Sequence, residues 1–148
     1  MFNRILVVCV GNICRSPMGE GLLIQALNKT DMNEIEVRSA GLDALVGRQA
    51  DKTVKRLMLE RGIDISAHRS QQLNRGILRW ADLVLVMETA QKLAVESWDP
   101  SARGKIYRIG EWGDFDVPDP YQQSDKEFET ALELLIRGVS DWVLKLRE

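Results

Sequence analysis

Histidine is almost missing from this chain. His68 stands alone among 148 residues, so a metal centre built on it would lack partners, and a structural or loop-supporting role is the better expectation for it. Cysteine is nearly as scarce. Cys9 and Cys14 lie close together in one short stretch and none follows, which excludes a disulfide framework and points to site chemistry in a reducing compartment. A basic excess is also absent: 20 Lys and Arg against 22 Asp and Glu leave a net charge of -2. That balance argues against a nucleic-acid partner, whose phosphate backbone calls for positive charge. It leaves room for a local phosphate site, because backbone amides and one arginine can supply the field. No apolar run approaches the length of a membrane span and no signal-peptide pattern leads the chain, so the expected address is the cytoplasm, without membrane insertion. Repeats, low-complexity tracts and linkers are missing too.

What remains is a soluble balance of 45% hydrophobic and 28% charged residues, enough for one domain spanning residues 1–148. Arg4 to Val8 is a β-branched run that reads as a strand buried on both faces. Pro17 falls where the first turn of a helix is expected, and Met18, Leu22, Leu23, Ala26 and Leu27 continue at helical spacing. Gly19 and Gly21 weaken that helix by roughly 1 kcal/mol each if interior. Ile35 to Arg38 reads as a second strand and Ser39 to Ala50 as a long loop. Asp51 caps a helix carrying Val54, Leu57 and Met58, which Gly62 ends. Leu83 to Met87 is a strand, followed by a helix through about Ser97, and Lys105 to Ile109 is the last strand. Gly110 to Gln123 reads as loop. Ser124 and Glu127 suggest a capping box, after which Phe128, Leu132, Leu135, Val139, Trp142, Val143 and Leu146 hold one apolar face. This alternation predicts an α/β fold: a four-stranded parallel sheet covered by helices on both faces, three layers in all, opened by a strand–phosphate loop–helix unit.

The chemistry concentrates in Cys9-Val10-Gly11-Asn12-Ile13-Cys14-Arg15-Ser16-Pro17, between the first strand and the first helix. A tight strand-to-helix loop converges backbone amides on the positive end of a helix dipole, which makes an anion cradle at the carboxyl edge of a parallel sheet. That field favours the thiolate of Cys9, a nucleophile. The planar fork of Arg15 can grip two phosphate oxygens at once. Gly11 allows close backbone approach or a positive φ, and Asn12 tolerates the left-handed conformation. Ser16 can donate its hydroxyl to the Cys9 thiolate. Transfer of phosphate to sulfur needs a proton donor for the departing oxygen. Asp119, fixed between Pro118 and Pro120, is the leading candidate. Asp114 and Asp116 compete for the role but lack the flanking prolines. A nucleotide-binding P-loop is excluded, since G-x-x-x-x-G-K-[ST] is not matched.

These pieces resemble the low-molecular-weight protein tyrosine phosphatases along the whole chain. The resemblance is carried by Val8 to Pro17, Ser39-Ala40-Gly41, His68-Arg69-Ser70, Ala81 to Met87, and Asp119-Pro120-Tyr121. It implies no metal and no cofactor, with Cys9 as nucleophile, Arg15 as phosphate clamp and Asp119 as general acid and then general base. It implies that Val10, Gly11, Asn12, Ile13, Cys14 and Ser16 form the substrate-binding loop and that Asn12 and Ser39 hold that loop in shape. Leu45 and Tyr121 are implied as walls for a phosphotyrosine ring. Leu45 in place of a tryptophan, and Gln122 in place of a second tyrosine, resemble the Gram-negative branch. That branch acts on a membrane tyrosine autokinase in exopolysaccharide or capsule production. Ile13, where phosphoarginine-cleaving relatives carry threonine, implies a preference for phosphotyrosine. The tryptophans read as core or surface anchors, with Trp112 a candidate border of the pocket.

Two rivals are weaker. A thiol-coupled arsenate reductase shares the C-x5-R loop but needs further cysteines down the chain. A silent phosphotyrosine-binding module would have no use for Asp119 beside Cys9 and Arg15.

Overall fold

The computed structural model describes residues 2–148. Four parallel strands form its sheet: β1 (Arg4–Cys9), β2 (Glu36–Gly41), β3 (Leu83–Val86) and β4 (Ile106–Arg108), in the spatial order β2-β1-β3-β4. Five helices connect and follow them: α1 (Arg15–Lys29), α2 (Lys52–Glu60), α3 (Arg75–Trp80), α4 (Thr89–Trp98) and α5 (Asp125–Leu146). Parallel pairing needs crossovers of this size, because a tight turn cannot return the chain to the same edge.

β1 is central, and its alternate residues feed two cores. Ile5, Val7 and Cys9 join Met18, Leu23 and Leu27 of α1, Met58 of α2, and Leu135 and Trp142 of α5. Leu6 and Val8 point the other way, to Ala40, Leu78 of α3 and Val95 of α4. The expected three layers are therefore present. Gly19, which costs α1 some propensity, lets that helix lie against the sheet: a Cβ there would stand 3.1 Å from Val7 Cγ1. Asp51 caps α2 by accepting from Thr53 N, and Gly62 follows that helix at φ +78°.

Several expectations need correction. α1 begins at Arg15 rather than at Pro17; proline fits anyway, because the first turn's N–H groups have no helical acceptor. Ser39 to Gly41 are the end of β2, paired with Val7, Val8 and Cys9, so the loop starts at Leu42. The Ser124 hydroxyl makes no capping bond; a backbone bond from Glu127 N to the Ser124 carbonyl closes that turn instead. α3 was not anticipated. Its buried side is Leu78 alone, too little to show a helical period, and Asn74 caps it by accepting from Ile77 N. Gly110 to Gln123 also contains a short 3-10 turn at Glu111–Gly113. No helix among the described residues is long and apolar enough to cross a membrane.

Candidate active site

At the carboxyl end of β1 the chain curls through residues 10–14 and enters α1. Asn12 takes the left-handed turn, with φ at 61°, and its backbone N–H points at Cys9 Sγ from 3.3 Å. Gly41, at the end of β2, packs so close that a Cβ would fall 2.5 Å from the Val10 carbonyl. Any larger residue there would push the loop outward. Both cysteines are buried and free.

The hydrogen bonds behind the loop run in one direction. Gln71 N can only donate, and it donates to Asn12 Oδ1 at 2.9 Å. That fixes the amide, so Asn12 Nδ2 is the donor to Ser16 Oγ at 2.7 Å and to Ser39 Oγ at 3.0 Å. Ser39 passes its own hydrogen to Glu20 Oε1 at 2.6 Å. Ser16 Oγ, already an acceptor, has its hydrogen left for Cys9 Sγ, 2.9 Å away. His68 Nε2 donates to the Asn12 carbonyl at 2.7 Å, and its Nδ1 lies 3.8 Å from Glu20 Oε1. Burial pushes the Glu20 carboxyl above its ordinary range, opposed by the Ser39 bond and by His68. Asn12 and Ser39 are thus in contact as expected. The side chains of Asn12 and Ser16 lie beneath the loop, facing the brace and the sulfur.

Arg15 is 1% exposed, and a buried guanidinium requires partners. Nη1 donates to Glu88 Oε1 at 2.5 Å and to the Val117 carbonyl at 2.9 Å. Nη2 stands 3.6 Å from Asp119 Oδ2. One edge of the fork is therefore anchored and the other faces the cavity. Cys14 is a different kind of cysteine: burial, reinforced by Asp51, Cys9 and Asp119, pushes its thiol far up, with only Arg15 opposing.

The cavity in front of the loop measures 180 Å³. Cys9, Val10, Gly11, Ile13, Cys14 and Arg15 form its floor and sides, and Leu45, Tyr121, Asp119 and Asp43 its rim. A larger groove of 760 Å³ on the far side of α1 holds neither Cys9 nor Arg15. The structure thus gathers the loop, Leu45, Asp119 and Tyr121 into one place. Trp112 is elsewhere, stacked edge-on against Trp142 at 5.3 Å. Asp114 and Asp116 are engaged by Arg108, at 2.6 and 3.1 Å. Sequence reasoning missed Glu20, Gln71, Asp43 and Glu88; of these, Asp43 and Glu88, just past the carboxyl ends of β2 and β3, occupied places where ligand-side residues are expected. No cluster of three or more His, Cys, Asp or Glu among the described residues could hold a metal ion.

A buried sulfur with hydrogen-bond donors aimed at it, an arginine fork and a carboxylate around one small cavity suit the chemistry of a phosphomonoesterase. Residues 4–148 match the family described as low molecular weight phosphotyrosine protein phosphatase, and the chain belongs to that family. It is 47% identical to a probable low molecular weight protein-tyrosine-phosphatase EpsP of Ralstonia nicotianae, over 99% of this chain and 98% of that one. Its fold is similar to that of Vibrio vulnificus Wzb in complex with benzylphosphonate, with a TM-score of 0.91 and 41% identity over 98% of this chain and 99% of that one. It is also similar to the YwlE arginine phosphatase of Geobacillus stearothermophilus, with a TM-score of 0.88 and 33% identity over 97% and 92% of the two chains.

Proposed function

We propose that this enzyme hydrolyses phosphotyrosine in proteins by way of a phosphocysteine. The Cys9 thiolate attacks phosphorus while the loop amides and the free edge of Arg15 hold the equatorial oxygens. Asp119 gives its proton to the tyrosyl oxygen as the P–O bond breaks. The Asp119 carboxylate then takes a proton from water, which attacks phosphorus and releases Cys9. The Ser16 hydroxyl stabilises the sulfur as it leaves. The fixed direction of the Gln71–Asn12–Ser16–Cys9 chain is the observation that carries this reading, because it delivers a donor to a sulfur that must bear charge.

The substrate class follows from the rim. Leu45 and Tyr121 offer apolar faces to an aromatic ring, and Ile13 adds bulk beside the phosphate where a charged, planar guanidinium would be crowded. Phosphotyrosine is therefore favoured over phosphoarginine although one fold neighbour is an arginine phosphatase. Leu45 and Gln122 support a membrane tyrosine autokinase of exopolysaccharide or capsule production as the protein substrate, met from the cytoplasm. The test is a phosphotyrosine peptide assay with Cys9→Ser as control, followed by capture on Cys9→Ser from a lysate. Release of phosphate by the Cys9→Ser protein would overturn the reading. So would burst-phase turnover of a substrate with a good leaving group without phosphate bound through sulfur to Cys9, trapped by rapid quench at alkaline pH where the S–P bond survives.

A further inference from the structure

Asp119 sits on a loop that leaves the shortest, outermost strand of the sheet, and the site needs its carboxyl held to within a fraction of an ångström. Misplacement by about 1 Å can cost as much as 100-fold in rate. Something must fix the loop, and one side chain is placed to do so. Arg108, the last residue of β4, donates through Nη1 to Asp116 Oδ1 at 3.1 Å and through Nη2 to Asp114 Oδ1 at 2.6 Å. The same Asp116 oxygen accepts from Thr89 N at 3.2 Å, in the first turn of α4. The neighbouring residue, Val117, is fully buried, donates to the Met87 carbonyl at 2.9 Å and accepts from Arg15. Residues 87–89 therefore anchor both Arg15, through Glu88, and the loop, through Asp116 and Val117.

From that anchor to Asp119 the chain has little freedom. Pro118 and Pro120 fix φ, and Val117 and Asp119 each precede a proline, which restricts their own backbone torsions. Setting Asp116 and Val117 thus sets the carboxyl that lies 3.6 Å from Arg15 Nη2. The geometry points to Arg108 as a positioning residue for the proton donor, acting through Asp116 and the two-proline segment without touching substrate. Bonds to the two aspartates also push the guanidinium further above its ordinary range, so it stays charged throughout the working range. The assignment rests on the reading of Asp119 as general acid.

The two ideas separate in a leaving-group series, from phenyl phosphate to 2,4-dinitrophenyl phosphate, read as kcat/KM. A loosely held acid hurts only substrates that need a proton. Arg108→Met is expected to lose about tenfold on phenyl phosphate and less than about twofold on the dinitrophenyl ester. Arg108→Lys, which keeps the charge but not the fork, should fall between the two. Asp116→Asn, which leaves Arg108 in place, should repeat the selective loss. Competitive inhibition by inorganic phosphate should change little in any of them, because the cradle is untouched. Equal loss on every substrate, with a lowered Tm, would make Arg108 a general brace and overturn the proposal, as would no loss at all. Asp119→Ala runs beside these variants. If its own loss fails to depend on the leaving group, the general-acid reading falls. If its loss does depend on it while Arg108→Met is uniform, only the role of Arg108 falls.

Discussion

The two halves of this site are held in opposite ways. The cradle, residues 9–17, grows out of the central strand, is nearly closed to solvent, and has a partner for every polar side chain placed beneath it. The acid loop, residues 109–123, hangs from an edge strand; Val117 pins it at one buried point, and its own Asp114 and Asp116 carboxylates, 90% and 43% exposed, tie it to Arg108. An anion cradle works only when its donors are already aimed, since reorganisation at the moment of reaction would cancel their benefit. A proton donor must instead allow a protein-borne side chain to enter and leave beneath it. Rigid below and lightly pinned above is what that division of labour requires.

Breaking the rigid half should have the largest effect. Arg15→Lys keeps a charge but loses both the fork and the anchored geometry to Glu88 and Val117; kcat/KM should fall by about 1000-fold for every leaving group alike. Asp119→Ala, in the other half, should cost about 100-fold on phenyl phosphate and progressively less as the leaving group becomes more acidic. Uniform loss there would erase the distinction between the halves. Asn12 sharpens it. Asn12→Gly removes the three side-chain bonds but tolerates a φ of 61°, whereas Asn12→Ala adds backbone strain of roughly 1–2 kcal/mol. Denaturant titrations should therefore rank wild type above Asn12→Gly and Asn12→Ala last; equal stability of the two variants would show that the loop relaxes its turn.

The smaller effects concern what enters the cavity and what guards it. Matched peptides should show at least about tenfold higher kcat/KM for phosphotyrosine than for phosphoarginine, equivalent to about 1.4 kcal/mol, and Ile13→Thr should narrow the gap. Comparable rates in the wild type would remove Ile13 from the argument. Cys14→Ser should stay active but lose thiol-reversible recovery after mild peroxide, the expected route being capture of the Cys9 sulfenic acid by Cys14 as a disulfide. The buried thiol titrates above its ordinary 9.0, so below pH 9 its thiolate fraction rises with pH. Capture should accelerate about tenfold per pH unit. A flat pH dependence would mean that another step limits capture.

The cradle was legible in the sequence because it is contiguous: strand, loop and helix follow one another between Arg4 and Leu27, and each residue type announces its use. Asp119 was legible through its two prolines. Asp114 and Asp116 are candidates by sequence alone, but in the structure both carboxylates are held by Arg108. The brace was legible in part: Asn12, Ser39 and His68 were expected to support the loop, whereas Gln71 and Glu20 reach Asn12 and Ser39 across gaps in the chain that no period or spacing marks. Glu88 and Val117 meet Arg15 from 73 and 102 residues away. Proline is acceptable anywhere in a first turn, so Pro17 marks the region of the helix start and not its boundary at Arg15. Serine and glycine favour turns, so Ser39 to Gly41 look like loop in the sequence, yet pairing with β1 keeps that stretch extended.

The strand order carries a last consequence, for how the molecule comes apart. β1 is hydrogen-bonded on both sides, whereas β4 has three residues and a single neighbour, β3. Local opening begins where few neighbours must be given up. Amide exchange along the strands should therefore be slowest at Ile5 to Val8 and faster at Ile106 to Arg108. In mild urea the edge should fray first, and with it the loop that bears Asp119. A partly opened enzyme would still seize a phosphate ester and would turn it over slowly: loss of structure at this edge converts the catalyst into a trap before it abolishes binding.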